Sequence, residues 1–153
     1  MNTTMPLFPV PRGHWVPAVV LLAALSLMGS PSTASADLLI IVHPALSGEA
    51  IAGKDLQRIF LGKKTIWRDE ATLVPVMMKE GPLHDEFVED YLDRSVSRFV
   101  TYWRQMVFTG KGIPPRSFAT EAELVEFVSR TPGAVGFASP GADVQSVKVL
   151  AVQ

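Results

Sequence analysis

The sequence contains no cysteine. That excludes a disulfide framework, a thiolate nucleophile and a cysteine-bound zinc site, and with them the lipid anchor that bacteria attach to a leader cysteine. It is compatible with an oxidising compartment without requiring one. An excess of charge is missing too, since 14 Lys and Arg stand against 15 Asp and Glu. The two signs read as interspersed, so no basic stripe marks a nucleic-acid partner. Catalytic signatures are scarce, with no G-x-S-x-G elbow and no H-E-x-x-H pair. Gly62-Lys63-Lys64 is not a phosphate-binding P-loop, because Gln57 stands at the first glycine position and Lys64 at the Ser/Thr position. The chain reads as a non-enzyme with no cofactor and no metal site. His84 with Asp85, Glu86, Glu89 and Asp90 reads as a solvated acidic face, since no second histidine lies one turn away.

What is present begins with a leader. Arg12 precedes an apolar run from Ala18 to Met28, followed by Gly29-Ser30-Pro31 and then Ala34-Ser35-Ala36. Small residues three and one positions before Asp37 suit a signal peptidase. At roughly 11 residues the apolar run is about half of what a bilayer crossing requires. Residues 1–36 are therefore expected to be a signal peptide cut near Ala36, the alternative being a retained anchor. Residues 37–153 are expected to be one exported, periplasmic domain, long enough for one core and not two.

The mature part alternates between strand and helix signals. Leu38–Val42 is a continuous apolar run, as in a strand buried on both faces. Leu56, Ile59 and Phe60 have the spacing of one helical face, with Gly62 as its stop. Leu73–Met78 reads as a strand in which Pro75 argues for an edge or a strand start. Gly81-Pro82 opens a helix with Leu83, Phe87, Val88, Tyr91 and Leu92 on one face. Val96, Phe99, Val100, Trp103, Met106 and Val107 recur at helical spacing to about Phe108. Trp67 and Trp103 are expected in the core. Gly110 to Pro115 is a loop. Thr120 and Glu123 form a capping box for another helix, and Ala134–Ala138 and Val147–Val152 read as two short strands. The sum is an α/β layer with a small mixed sheet of about four strands flanked by helices.

The order of these signals resembles the periplasmic phosphate-binding-protein-like family of ABC transporter substrate-binding proteins. Leu56-Gln57-Arg58-Ile59-Phe60-Leu61-Gly62-Lys63 with Trp67 is similar to that family's "IF.GK…W" segment. Leu73-Val74-Pro75-Val76, Phe87, Tyr102-Trp103, Phe108-Thr109-Gly110-Lys111-Gly112, Pro114-Pro115 and Thr131-Pro132-Gly133-Ala134-Val135-Gly136-Phe137 continue it. The resemblance implies a type II periplasmic-binding-protein fold that closes two lobes on an anion held at helix N-termini. Residues 37–153 are enough for a single lobe. The loop matching the family's Ser-Gly-Thr segment is Lys79-Glu80-Gly81-Pro82-Leu83-His84, which has no hydroxyl. Pro82 lacks a backbone donor and Glu80 adds negative charge.

By position, the resemblance implies Gly81 and His84 as ligand-binding residues. Arg94 and Arg98 could clamp an oxyanion as guanidinium forks. Ser95, between them, suits the N-cap of the following helix and could also face a ligand. Two functions follow. One is an exported phosphate-type substrate-binding protein that holds phosphate or a related oxyanion and works with an ABC permease. The other is a ligand-free accessory module that keeps the fold and docks an envelope protein or a second copy. A homodimer would join them by rebuilding a cleft from two half-clamps.

Overall fold

The computed structural model describes residues 38–153, which fall in one compact unit. The expected leader, residues 1–36, and its cleavage site lie outside the described residues. Among those described, no helix is long and apolar enough to cross a membrane.

The strands are β1 (Leu39–Val42), β2 (Ala50–Ile51), β3 (Val74–Met78), β4 (Arg116–Phe118), β5 (Ala134–Ala138) and β6 (Lys148–Val152). They form one sheet in the order β2-β6-β1-β5-β3-β4. The sheet is small and mixed as expected, but it has six strands and not about four. The two extra strands are β2 and β4, of two and three residues, too short to show a period of two in the sequence.

β1 is antiparallel to both β5 and β6, while β2 runs with β6 and both β3 and β4 run with β5. Five strands therefore point one way and β1 points back. β1 has the burial its apolar run predicts, with Ile40, Ile41 and Val42 shut from solvent. Pro75 is near a strand start, as expected, but β3 is not an edge. Val74 and Pro75 pair with β5, and Val76 to Met78 pair with β4. The missing N–H is tolerated because pairing to β4 begins one residue later.

Helix α1 is Gly53–Phe60, α2 is Pro82–Glu86, α3 is Val96–Phe108 and α4 is Glu121–Arg130. The helix expected from Gly81-Pro82 is not uniform. After α2 it passes into a π-helical segment, Phe87–Tyr91, closed by Leu92 N–H donating to the Phe87 carbonyl. A π turn inserts one extra residue into the helical repeat, which a period of 3.6 does not reveal.

Side chains alternate across β5, so its two faces pack differently. Phe137 meets Phe60 of α1 and Phe87 of the π segment on one face. On the other face α4 lies close over Gly136, where an added Cβ would stand 2.8 Å from Leu124 and 3.0 Å from Val76. The sheet is thus covered on both sides. Trp67 and Trp103 are buried, as expected. The Trp103 indole N–H has no hydrogen-bond partner among the described residues.

Asp55 in the first turn of α1 meets the Lys64 ammonium at 2.6 Å, with Arg58 at 3.7 Å. The Lys64 hydrogen bond holds the Asp55 carboxyl below its ordinary value of 3.8. A depressed carboxyl stabilises the fold above its unfolded pKa, and that contribution fades as pH falls through the folded pKa. Asp55→Asn is therefore expected to cost roughly 0.5 kcal/mol at pH 7. The gap to wild type should shrink below pH 3.8, read from urea midpoints at both pH values.

Candidate functional site

In open α/β sheets ligands gather at the carboxyl ends of the strands. Here β2, β3 and β4 all end at one edge and lead into α1, α2 and α4, so three helices start there. Each helix start offers unpaired N–H groups and a partial positive charge. What that edge can do depends on which donors remain.

Some are engaged by the chain itself, although among the described residues the Leu83 and His84 N–H groups at the start of α2 are not. At α1, Gly53 N–H donates to the Gln153 carbonyl at 2.9 Å. At α4 the expected capping box is present: Glu123 N–H donates to the Thr120 hydroxyl and Thr120 N–H donates to the Glu123 carboxylate, each at 3.3 Å. A second carboxylate does more. The Ser139 backbone N–H and its hydroxyl both donate to Glu121, the hydroxyl at 3.0 Å. Ser139 follows the carboxyl end of β5, so Glu121 ties two strand ends together with the kind of donors an oxyanion would use. The sequence reading missed this bond. Glu at the first position of a capped helix was the available signal, but its partner lies 18 residues away.

At α2, Gly81 (φ 104°) is the residue before the helix and Pro82 contributes no N–H. His84 is buried. Its Nδ1 is hydrogen-bonded to the Asp85 carboxylate at 2.8 Å and its ring stands edge-on to Phe99 of α3 at 6.4 Å. These contacts make His84 a packing residue between two helices.

The remaining three candidates sit at the start of α3. The Arg94 guanidinium lies over the Tyr102 ring at 5.5 Å, and the Tyr102 hydroxyl donates to the Leu61 carbonyl at 2.7 Å. Ser95 holds the N-cap position, as expected, but its hydroxyl makes no capping bond and instead lies 3.3 Å from the Ser97 hydroxyl. Arg98 is exposed. The structure thus sets Gly81 and His84 at one helix start and Arg94, Ser95 and Arg98 at another, linked through the His84–Phe99 contact.

None of these five residues lines any of four clefts found on the described surface. The roomiest of the four, ≈ 930 Å³, lies between α1, the α2–π segment and β6. Its charged side chains are Glu49, Glu86 and Asp90, all acidic. From Glu80 to Asp93 the chain carries six carboxylates and no Lys or Arg. Among the described residues no group of three His, Cys, Asp or Glu could hold a metal ion.

A mixed sheet covered on both faces, with three helices starting at its carboxyl edge, makes a single α/β lobe. Residues 38–153 have the fold found in phosphate ABC transporter substrate-binding proteins. An ABC-type phosphate transport receptor from Vibrio cholerae matches at 18% identity with a TM-score of 0.58, covering 75% of this chain and 45% of that one. A phosphate ABC transporter substrate-binding protein from Clostridium perfringens, with bound phosphate, matches at 17% identity and a TM-score of 0.59, covering 75% and 44%. PstS from Borrelia burgdorferi matches at 16% identity and a TM-score of 0.59, covering 76% and 47%. The chain therefore spans under half the length of these structures. No family model matches the sequence, and no curated protein does.

Proposed function

We propose that the protein is an exported accessory component of phosphate-type ABC transport, cut near Ala36, which keeps a substrate-binding-protein lobe without holding phosphate on its own. The observation that carries this reading is the Glu121 carboxylate at the carboxyl edge, which accepts from both donors of Ser139. The acidic lining of the neighbouring cleft supports it, since an oxyanion there would meet Glu86 and Asp90. Its role is then to dock an envelope protein, a permease included, and it is not an enzyme.

A second reading is favoured by the fold, because a neighbour of the same fold carries phosphate. In it, this chain holds phosphate or a related oxyanion through Gly81, His84, Arg94, Ser95 and Arg98, with a second copy or another chain closing the cleft. The two separate by calorimetry on purified protein stripped of anions by unfolding and refolding, titrated with phosphate and with sulfate. The expected result is no saturable heat with either. Saturable heat for phosphate and not sulfate, lost in Arg94→Ala or Arg98→Ala, establishes the second reading and overturns the first. Glu121→Gln belongs in the same series. If the carboxylate blocks the edge, removing its charge should leave the wild type silent and give the variant the stronger phosphate response.

A further inference from the structure

The apolar residues of α3 do not all face the same way. Phe99 and Trp103 are buried, with Val96 and Met106 half-buried against the core, but Val100 and Val107 are exposed and Phe108 is 92% exposed. A helix that is apolar beyond its buried stripe has an uncovered face. The chain extends that face past the helix. Gly110 and Lys111 N–H groups donate back to the Val107 and Met106 carbonyls, and the folded-back turn presents Ile113, 89% exposed. Across a cleft of ≈ 530 Å³ from Ile113 lie Lys64 and Thr65, and the next residue, Ile66, is exposed too.

Along α3 and the loop after it the charge has one sign, while Asp69 and Glu70 lie in the hairpin that carries Ile66. From Arg94 to Thr120 the chain carries Arg94, Arg98, Arg104, Lys111 and Arg116 and no carboxylate. The signs are sorted into two adjoining segments of the chain. Acids crowd the segment from Glu80 to Asp93, whereas Phe108 and Ile113 lie toward the amino ends of β3 and β4, whose Val74 and Arg116 line the same cleft. Carboxylates do approach from neighbouring elements. Asp55 is taken up by Lys64 and Arg58. Glu126 of α4 is taken up by Arg130 at 2.8 Å, and Glu123 by the capping box. Arg104, Lys111 and Arg116 are all exposed.

Protruding apolar side chains ringed by cations are how a protein seats on an anionic bilayer: the side chains enter the headgroup boundary and the cations meet lipid phosphates. We propose that this end of the molecule docks on an anionic lipid surface, with Phe108 and Ile113 inserted and Arg104, Lys111 and Arg116 at headgroup level. Charge complementarity selects the lipid over a second copy. The acidic segment of another copy starts at the opposite edge of the sheet, so copies joined that way would stack head to tail without closing. The inference stands apart from the phosphate question.

The absence of native cysteine makes the test clean. Phe108→Cys in the full chain, labelled with an environment-sensitive fluorophore, reports on position 108 alone, so membrane binding by any other segment does not imitate the signal. Gly141→Cys, in open space, is the control. Vesicles of phosphatidylglycerol and phosphatidylcholine should give a blue shift and quenching by brominated lipid at position 108 and not at 141, absent with phosphatidylcholine alone and weakened by salt. Adding Arg104→Glu and Lys111→Glu should lower apparent affinity about tenfold or more. No shift at 108, an equal shift at 141, or equal binding to neutral vesicles overturns the proposal. A shift without vesicles that grows with protein concentration overturns it in favour of self-association.

Discussion

Gly133→Ala is expected to destabilise the folded protein severely. Gly133 has φ 80°, and a Cβ there would stand 1.9 Å from the Thr72 carbonyl oxygen and 3.1 Å from its carbon. The obstacle is backbone, so no rotamer relieves it. The clash also falls at a junction. Val74 N–H donates to the Gly133 carbonyl at 2.9 Å, which starts the pairing of β3 with β5, and His43 N–H donates to the Ala134 carbonyl at 3.0 Å, which fixes the end of β1. Moving this turn to admit a methyl group breaks the register of three strands. The left-handed conformation alone costs about 1–2 kcal/mol for a residue with a Cβ. With the clash, the loss should reach about 4 kcal/mol or more, against the 5–15 kcal/mol of a typical domain (an order-of-magnitude range). The checks are soluble yield and the thermal transition by circular dichroism. Gly141→Ala, with nothing near its Cβ, should stay within about 0.5 kcal/mol of wild type. A wild-type transition for Gly133→Ala would mean that the turn is not packed on Thr72.

The contrast between these glycines shows what a sequence yields. Thr131-Pro132-Gly133 was legible as the end of a helix, because proline and glycine act locally. α3 and β5 have the bounds expected, since each is a long apolar signal with a breaker at its end. β2 and β4 were not legible. Their hydrogen bonds run to β6 and β3, and nothing in Ala50–Ile51 or Arg116–Phe118 says so. The same limit applies to the candidate site. Gly81 and Pro82 were rightly placed at a helix start, and Ser95 at another. That His84 turns inward against Phe99, and that Glu121 takes the donors of Ser139, are facts of tertiary packing. The charge runs are a different case: the acids from Glu80 to Asp93 and the bases from Arg94 to Arg116 stand in the sequence itself, and a total of −1 averages over them.

Phe87→Ala should be the costliest change of a side chain in the core, about 3–5 kcal/mol. Phe87 is fully buried at the first residue of the π segment. Its ring stacks on Phe137 at 3.9 Å, meets Phe60 edge-on at 4.7 Å and lies 5.7 Å from Tyr91. It therefore joins α1, the π segment and β5 at one point, and each aromatic pair adds roughly 0.5–1.5 kcal/mol beyond burial. Removing the ring leaves a cavity that three elements must close together, and the close packing of interiors resists that. Urea unfolding measures the loss, with Phe87→Leu recovering a large part by refilling the space. Phe108→Ala is the internal comparison. It removes the same side chain from the same protein, yet at 92% exposure it should change stability by no more than about 0.5 kcal/mol. A small loss at Phe87 would mean that the π segment is not anchored by this stack. The acidic wall of the ≈ 930 Å³ cleft, which Glu86 at the end of α2 and Asp90 of the π segment carry, would then have no rigid support, and the case against unaided anion binding would weaken with it.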